Sequence, residues 1–154
     1  GDTGFIDSQG YLFITGRKKD IIITSGAKNI TPAKIEGELM RSALIEHAVV
    51  VGEGKKYLTA LLTLSLEGGK TWAGHRGEQV DTYTDLLELD LAVSEIDAHV
   101  ARVNEKLSRV EQIKKFSILA EPLTEGNGEL TALQKLKRFK VIENNEDLIE
   151  EMYA

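Results

Sequence analysis

Apolar residues recur along the chain in two rhythms, and each predicts a different kind of element. Short apolar runs rich in β-branched and aromatic residues predict strands over 11–15, 21–24, 48–51, 58–64 and 116–119. Steps of three and four place Leu89, Val93, Ile96, Val100, Val103, Leu107 and Val110 on one helical face, and such a face predicts packing onto a core. A second helix is predicted from Thr31 as N-cap, with Pro32 in the first turn, where its missing N–H leaves no bond unmade. Its apolar stripe is Ile35, Leu39 and Met40.

Turn chemistry punctuates these runs. Asp7-Ser8-Gln9-Gly10 predicts the reversal of a hairpin over 1–16, and Gly16 ends its second strand. Arg17-Lys18-Lys19-Asp20 reads as a charged connector, and Ser25-Gly26-Ala27-Lys28-Asn29 as a loop after a short buried strand. Gly52-Glu53-Gly54-Lys55-Lys56 joins two strands, and Gly126-Asn127-Gly128 is a tight turn. Residues 67–88 are polar and mixed, a helix followed by an irregular segment. The stretch from Thr131 onward reads as helical with an acidic end. Strands and helices alternate irregularly, without an internal repeat. The pattern predicts an α+β fold: a short antiparallel or mixed sheet flanked by helices and preceded by a hairpin.

Composition narrows the class. The 154 residues are 42% hydrophobic and 29% charged, the balance of a globular chain with enough apolar surface for a core. The formal net charge of −6 argues against nucleic acid as a partner. Without cysteine there is neither a disulfide nor a thiolate metal site. No apolar run reaches membrane-spanning length. The chain begins at Gly1-Asp2-Thr3-Gly4, inside a glycine-rich turn and without methionine, which is read as a boundary within a longer chain or a processing point.

Candidate chemistry is sparse when residues are taken singly. Gly68-Gly69-Lys70-Thr71 suggests a phosphate loop, yet the glycine required five positions before Gly69 is Leu64, so a helix start or a solvated turn is the expectation. His47, His75 and His99 share no metal-ligand spacing, and His99, beside the long apolar face, is expected to be a packed histidine. The basic residues Arg17, Lys18 and Lys19, and Lys135, Lys137, Arg138 and Lys140, fit either solvated faces or two cationic groups converging on phosphate.

Longer motifs carry more. Gly1-Asp2-Thr3-Gly4, Asp7, Gly10-Tyr11-Leu12, Ile14 through Asp20 and Ser25 through Ile30 follow one another in an order and spacing that resembles the adenylate-forming (AMP-binding) enzymes. Asn104, Leu107-Ser108-Arg109, Glu111 through Phe116, Glu129-Leu130-Thr131, Lys135 through Arg138 and Met152-Tyr153 resemble their long-chain fatty acid–CoA ligase branch. The resemblance implies the C-terminal lid domain of such an acyl-CoA synthetase, inactive alone. Residues 1–16 then close the N-terminal AMP-binding domain, 17–154 form the lid, and Lys19 is the hinge.

The resemblance also implies roles. Lys135 matches the catalytic lysine of adenylation. Asp2 and Arg17 match nucleotide contacts, to the ribose hydroxyls and to ATP or AMP. Gly26 matches a glycine lying against the pantetheine arm of coenzyme A, and Lys28 is assigned with it. ATP, coenzyme A and Mg2+ are the expected cofactors, held mainly by the N-terminal domain, and a fatty acid is the acyl substrate. The partner is that domain, in a cytoplasmic enzyme with peripheral membrane contact. Two positions depart from the pattern: Ala27 stands where a second glycine is usual, and Ala132-Leu133 where proline and a hydroxyl residue are usual. A lid loading an acyl carrier protein and a non-catalytic α+β interaction module are the alternatives.

Overall fold

The computed structural model describes residues 21–133 and 135–154. At its centre is a three-stranded sheet of β3 (Ile45–Val51), β4 (Leu58–Leu64) and β5 (Ile113–Ile118), in that spatial order. β4 runs antiparallel to β3, pairing Val49 with Leu61 and Val50 with Ala60, and parallel to β5, pairing Ala60 with Phe116. The parallel step requires a long crossover, which α2 (Leu66–Gly74), α3 (Tyr83–Leu87) and α4 (Asp90–Glu105) supply. A two-stranded ribbon, β1 (Ile22–Ile23) with β2 (Asn29–Ile30), precedes α1 (Pro32–Leu39), while α5 (Arg138–Asn144) and α6 (Glu146–Tyr153) complete the chain.

Both faces of the sheet are covered, which explains the largely apolar runs in β3 and β4, where even Thr59 and Thr63 are buried. Every residue of β4 is buried. Ala48, Val50, Ala60 and Leu62 enter a core with Ile22, Ile30, Ile35, Leu39, Leu86 and Ile96, beneath the ribbon, α1, α3 and α4. Their neighbours Val49, Val51 and Leu61 enter a second core with Leu119, Leu130, Val141, Ile149 and Met152, beneath α5 and α6. The expected α+β architecture, a mixed sheet flanked by helices, is the observed one; the hairpin predicted over 1–16 lies outside the described residues.

Several local expectations change. Of the predicted buried strand over 21–24, Ile22 is buried while Ile21 and Ile23 are exposed, because a ribbon on the surface of the core presents one face inward. Asn29 belongs to β2 rather than to the loop. Thr31 occupies the N-cap of α1, but its side chain makes no capping bond. Met40 lies past the helix end and is exposed; the buried face of α1 is Pro32, Ile35, Glu36 and Leu39.

The helix predicted through Val110 ends at Glu105. Ser108 and Glu111 form a capping box around a separate 3-10 turn, leaving Val110 exposed. Val93 is exposed too, and Ala92 takes the inward position with Ile96, Val100 and Val103. β5 starts at Ile113, three residues before the predicted strand. Residues 131–133 and 135–137 are not helical: Ala132 and Leu133 form a turn, and Leu130 is bridged to Leu136.

Gly68 and Gly69 lie in the first turn of α2, where Ser65 caps the Gly68 N–H at 3.1 Å. A carbon added to Gly68 would strike the Ala43 carbonyl, and one on Gly69 the Leu86 side chain. These glycines therefore serve close packing, in agreement with a helix start rather than a phosphate loop. His99 is a packed residue: its Nε2 lies 3.0 and 3.2 Å from the carbonyls of Leu39 and Glu38, at the end of α1.

Candidate functional site

Those site residues named from sequence that are described, Gly26, Lys28 and Lys135, fall on two loops that rest on opposite cores of the sheet. The first is the tip of the β1–β2 ribbon. Thr24 N–H donates to the Lys28 carbonyl at 3.1 Å, Ala27 N–H to the Thr24 carbonyl at 2.9 Å, and Lys28 N–H to Thr24 Oγ1 at 3.3 Å. Ile22 and Ile30 anchor both stems in the first core. The tip leans on the β3–β4 turn: Ser25 N–H donates to the Lys55 carbonyl and Gly54 N–H to the Ile23 carbonyl, each at 2.9 Å. Gly26 and Lys28 are both exposed at this tip.

The backbone strain of this loop sits beside Gly26, not on it. Ala27 has φ +62°, and among the described residues it is the non-glycine residue with positive φ. The usual glycine at this place thus has a conformational reason, and alanine holds the angle against steric resistance of about 1–2 kcal/mol. Gly26 has no such angle, and a carbon added there would meet only Thr24 Oγ1, at 3.9 Å. Nothing in the fold requires Gly26 to lack a side chain.

The second loop carries Lys135. The Leu130–Leu136 bridge closes it, Thr131 N–H donates to the Lys135 carbonyl at 2.9 Å, and Lys135 N–H donates to Thr131 Oγ1 at 3.0 Å. One residue beyond the bridge, Lys137 N–H donates to the Glu129 carbonyl at 2.8 Å. Leu130 is buried in the second core with Leu136 packed against it, whereas Lys135 and Lys137 are exposed. The side chains alternate in and out as on a strand.

The preceding turn is braced as well. Gly128 adopts φ +78°, the left-handed conformation that suits glycine. The buried Glu129 carboxylate accepts the Asn144 side-chain N–H at 3.1 Å, tying the turn to α5.

The basic run separates into three situations. Lys135 and Lys137 face solvent, and Lys140 pairs with Glu143 at 3.1 Å on the surface of α5. Arg138 is turned inward, its guanidinium forked onto Glu36 with Nη2 to Oε1 at 2.8 Å. Glu36 was not a sequence candidate. Its signal was a carboxylate on the inward stripe of α1, between Ile35 and Leu39. Tyr153 is a second omission. Its hydroxyl lies 2.8 Å from the Tyr57 carbonyl and 3.1 Å from that of Val51, and accepts from Thr59 Oγ1 at 3.3 Å, which locks α6 onto the sheet. Asp2, Arg17 and Lys19 lie outside the described residues.

The family model described as the AMP-binding enzyme C-terminal domain matches residues 19–154. The chain belongs to that family. A long-chain-fatty-acid–CoA ligase of Mycobacterium tuberculosis, FadD15, is 42% identical over 154 residues, 99% of this chain and 26% of the relative. A long-chain-fatty-acid–CoA ligase of Homo sapiens is 33% identical over 171 residues, 99% of this chain and 24% of the relative. This AMP-binding C-terminal domain therefore spans about a quarter of the length of the curated relatives it matches. Its fold is also that of part of the adenylation domain of a carboxylate reductase from Mycobacterium chelonae. That match has a TM-score of 0.67 at 21% identity and covers 94% of this chain and 21% of the other.

Proposed function

We propose that the domain is the lid of a long-chain fatty acid–CoA ligase, and that its two loops serve the two half-reactions in turn. The observation that carries this reading is the placement of Lys135, a solvent-facing ammonium on a short loop pinned from both sides. In adenylation a carboxylate oxygen of the fatty acid attacks the α-phosphorus of ATP, the bond to the bridging oxygen breaks, and pyrophosphate leaves. Charge grows on the phosphate oxygens as it does so. A cation already fixed on a braced loop stabilises that charge with little reorganisation, and one such donor commonly contributes about 3–4 kcal/mol. Lysine acts there as a point charge on a long stem.

The lid then turns, and the thiol of coenzyme A attacks the acyl carbonyl with AMP as leaving group. The ribbon tip takes over in this state, with Gly26 leaving room for the pantetheine arm and Lys28 beside it. Lys19 is the hinge that divides residues 1–16, assigned to the large domain, from the lid, and Asp2 and Arg17 contact the nucleotide. Proline at Lys19 would trap one state, sparing one half-reaction and abolishing the other. Mg2+ would neutralise the polyphosphate. Among the described residues no group of three or more His, Cys, Asp or Glu side chains makes a metal site; it is the family resemblance that assigns the Mg2+ ligands to the N-terminal domain. Among the same residues no helix is long and apolar enough to cross a membrane. A long-chain acid partitions into lipid surfaces, so we place the enzyme in the cytoplasm with peripheral membrane contact made outside this chain.

The test is Lys135→Ala in the full-length ligase. ATP–pyrophosphate exchange should fall about 10²–10³-fold, the usual effect of removing one charge-stabilising donor. Thioester formation from supplied acyl-adenylate should persist. Equal loss of both steps, or full exchange, would overturn the assignment, and Lys137→Ala measured alongside separates the two exposed lysines.

A further inference from the structure

The stretch that carries Lys135 contains one cation the proposed chemistry does not use. Arg138, three residues on, is withdrawn from solvent onto a carboxylate 102 positions earlier. Its Nη1 meets Glu36 Oε2, and its Nη2 donates to Oε1 at 2.8 Å. Glu36 is 4% exposed, and its Oε2 also accepts the Val50 N–H at 2.8 Å. β3 is an outer strand of the sheet, so this carboxylate occupies the strand's open edge and supplies an acceptor there.

The pair joins parts of the fold that belong to different cores. Glu36 stands on α1, whose Ile35 and Leu39 belong to the first core; Arg138 opens α5, whose Val141 belongs to the second. The ion pair therefore passes around the edge of β3 from one layer to the other. At one end, α1 continues directly from β2 of the Gly26 ribbon. At the other, Arg138 is two residues past the bridge that closes the Lys135 loop.

A buried ion pair is a poor source of stability, since two apolar residues of like volume commonly do as well or better. This one even leaves Arg138 Nε buried without a hydrogen-bond partner. What a two-pronged guanidinium–carboxylate contact supplies is a single geometry.

We propose that Glu36 and Arg138 form a positioning clamp that sets the Lys135 loop relative to the rest of the lid. The clamp touches no substrate and acts on adenylation through Lys135, so the proposal rests on the reading of Lys135 as the adenylation lysine.

The experiment uses full-length ligase and the Arg138→Lys variant, which keeps the charge and loses the fork. ATP–pyrophosphate exchange should fall about 10–100-fold in kcat, the scale of an ångström-sized misplacement. The KM for ATP and thioester formation from supplied adenylate should stay within about twofold, since neither uses the lysine's position. Glu36→Gln, which keeps an acceptor for Val50, should repeat the pattern. In a Lys135→Ala background Arg138→Lys should cause no further loss of exchange, because the group it positions is gone.

Undiminished exchange in both variants, equal loss of both half-reactions, additive loss in the Lys135→Ala background, or failure of both variants to fold would each overturn the clamp. Where Lys135→Ala abolishes exchange and Arg138→Lys does not lower it, the clamp alone fails. Where Lys135→Ala leaves exchange intact, it is the functional reading that fails, and the clamp with it.

Discussion

The ribbon tip and the lysine loop are both short, exposed and seated on an isoleucine or leucine stem, yet they are held by different means. The tip at 24–28 is held mainly by backbone: Thr24, Ala27 and Lys28 bond among themselves, with one bond to the Thr24 hydroxyl, and the Ser25–Lys55 and Gly54–Ile23 bonds join it to the neighbouring turn. The loop at 131–135 has backbone bonds too, from Thr131 N–H to the Lys135 carbonyl and from Lys137 N–H to the Glu129 carbonyl, but adds polar side chains: Thr131 Oγ1 on the Lys135 N–H, and the Glu36–Arg138 pair behind its stem. A loop held by backbone tolerates side-chain change, because no single substituent carries it. A loop whose stem also leans on a buried ion pair can be displaced by one mutation. The contrast suits the proposed roles, since a ligand arm passing over backbone needs clearance, whereas a catalytic ammonium needs an exact position.

The harshest way to break the comparison is to remove the pair. Glu36→Ala leaves a buried guanidinium without its partner and the Val50 N–H without its acceptor, which should cost about 3–5 kcal/mol in urea unfolding. A loss under 1 kcal/mol would mean that the loop stem is held by something else.

Tyr153→Phe probes the support shared by both regions. The tyrosine locks α6 onto Tyr57 and Val51, which flank the turn the ribbon leans on. Losing that hydroxyl should cost about 1–2 kcal/mol, read as a lower urea midpoint at unchanged slope.

Ala27→Gly sharpens the comparison from the other side. It relieves a positive φ of +62° but gives the unfolded chain more freedom, so a net gain of about 0.5–1 kcal/mol is expected. A loss would show that the alanine methyl makes contacts outweighing its strain.

The gentlest probe is pH. Burial pushes the Tyr153 hydroxyl above its ordinary 10.0, against lesser lowering by Thr59, and burial likewise raises Tyr83, against a bond from the Leu64 N–H. The folded state then holds these protons more tightly than the unfolded state. Their contribution is whole below pH 10 and declines as pH rises through the folded values. Thermal midpoints should fall progressively above pH 10, and less steeply in Tyr153→Phe. An unchanged alkaline slope would remove Tyr153 from that account.

Much of this was legible in the residues. The runs at 48–51 and 58–64 located both central strands, because a strand covered on two faces must be apolar on both. Pro32 marked the start of α1, and Gly126-Asn127-Gly128 the turn before the lysine loop. What failed depended on contacts distant in sequence or on a competing local signal. The helical stripe of 89–110 continues in register past Lys106, but the Ser108–Glu111 capping box ends it, and that signal was present to be read. Similarly, Thr82 and Asp85 form a capping box that starts α3 inside a stretch read as irregular.

The stretch from Thr131 reads as helix, while the Leu130–Leu136 bridge and the bond from Lys137 N–H to the Glu129 carbonyl keep the described residues around Lys135 out of one. No local pattern pairs Glu36 with Arg138, which stand 102 residues apart. The family resemblance supplied the candidates Gly26, Lys28 and Lys135. It left open why position 27 favours glycine, which only the backbone angle answers.

The central claim is that each loop serves one half-reaction, and crossing two substitutions in the same full-length ligase tests it directly. Gly26→Leu adds a side chain where the fold leaves room for its first carbon, so the protein should stay folded and exchange ATP with pyrophosphate at the normal rate. Its thioester formation from acyl-adenylate and coenzyme A should fall at least about tenfold, the effect of crowding a bound arm. Lys135→Ala should show the reverse: exchange lost and thioester formation kept. If either substitution impairs both half-reactions equally, or if the two share one pattern, the division of labour between the loops is wrong.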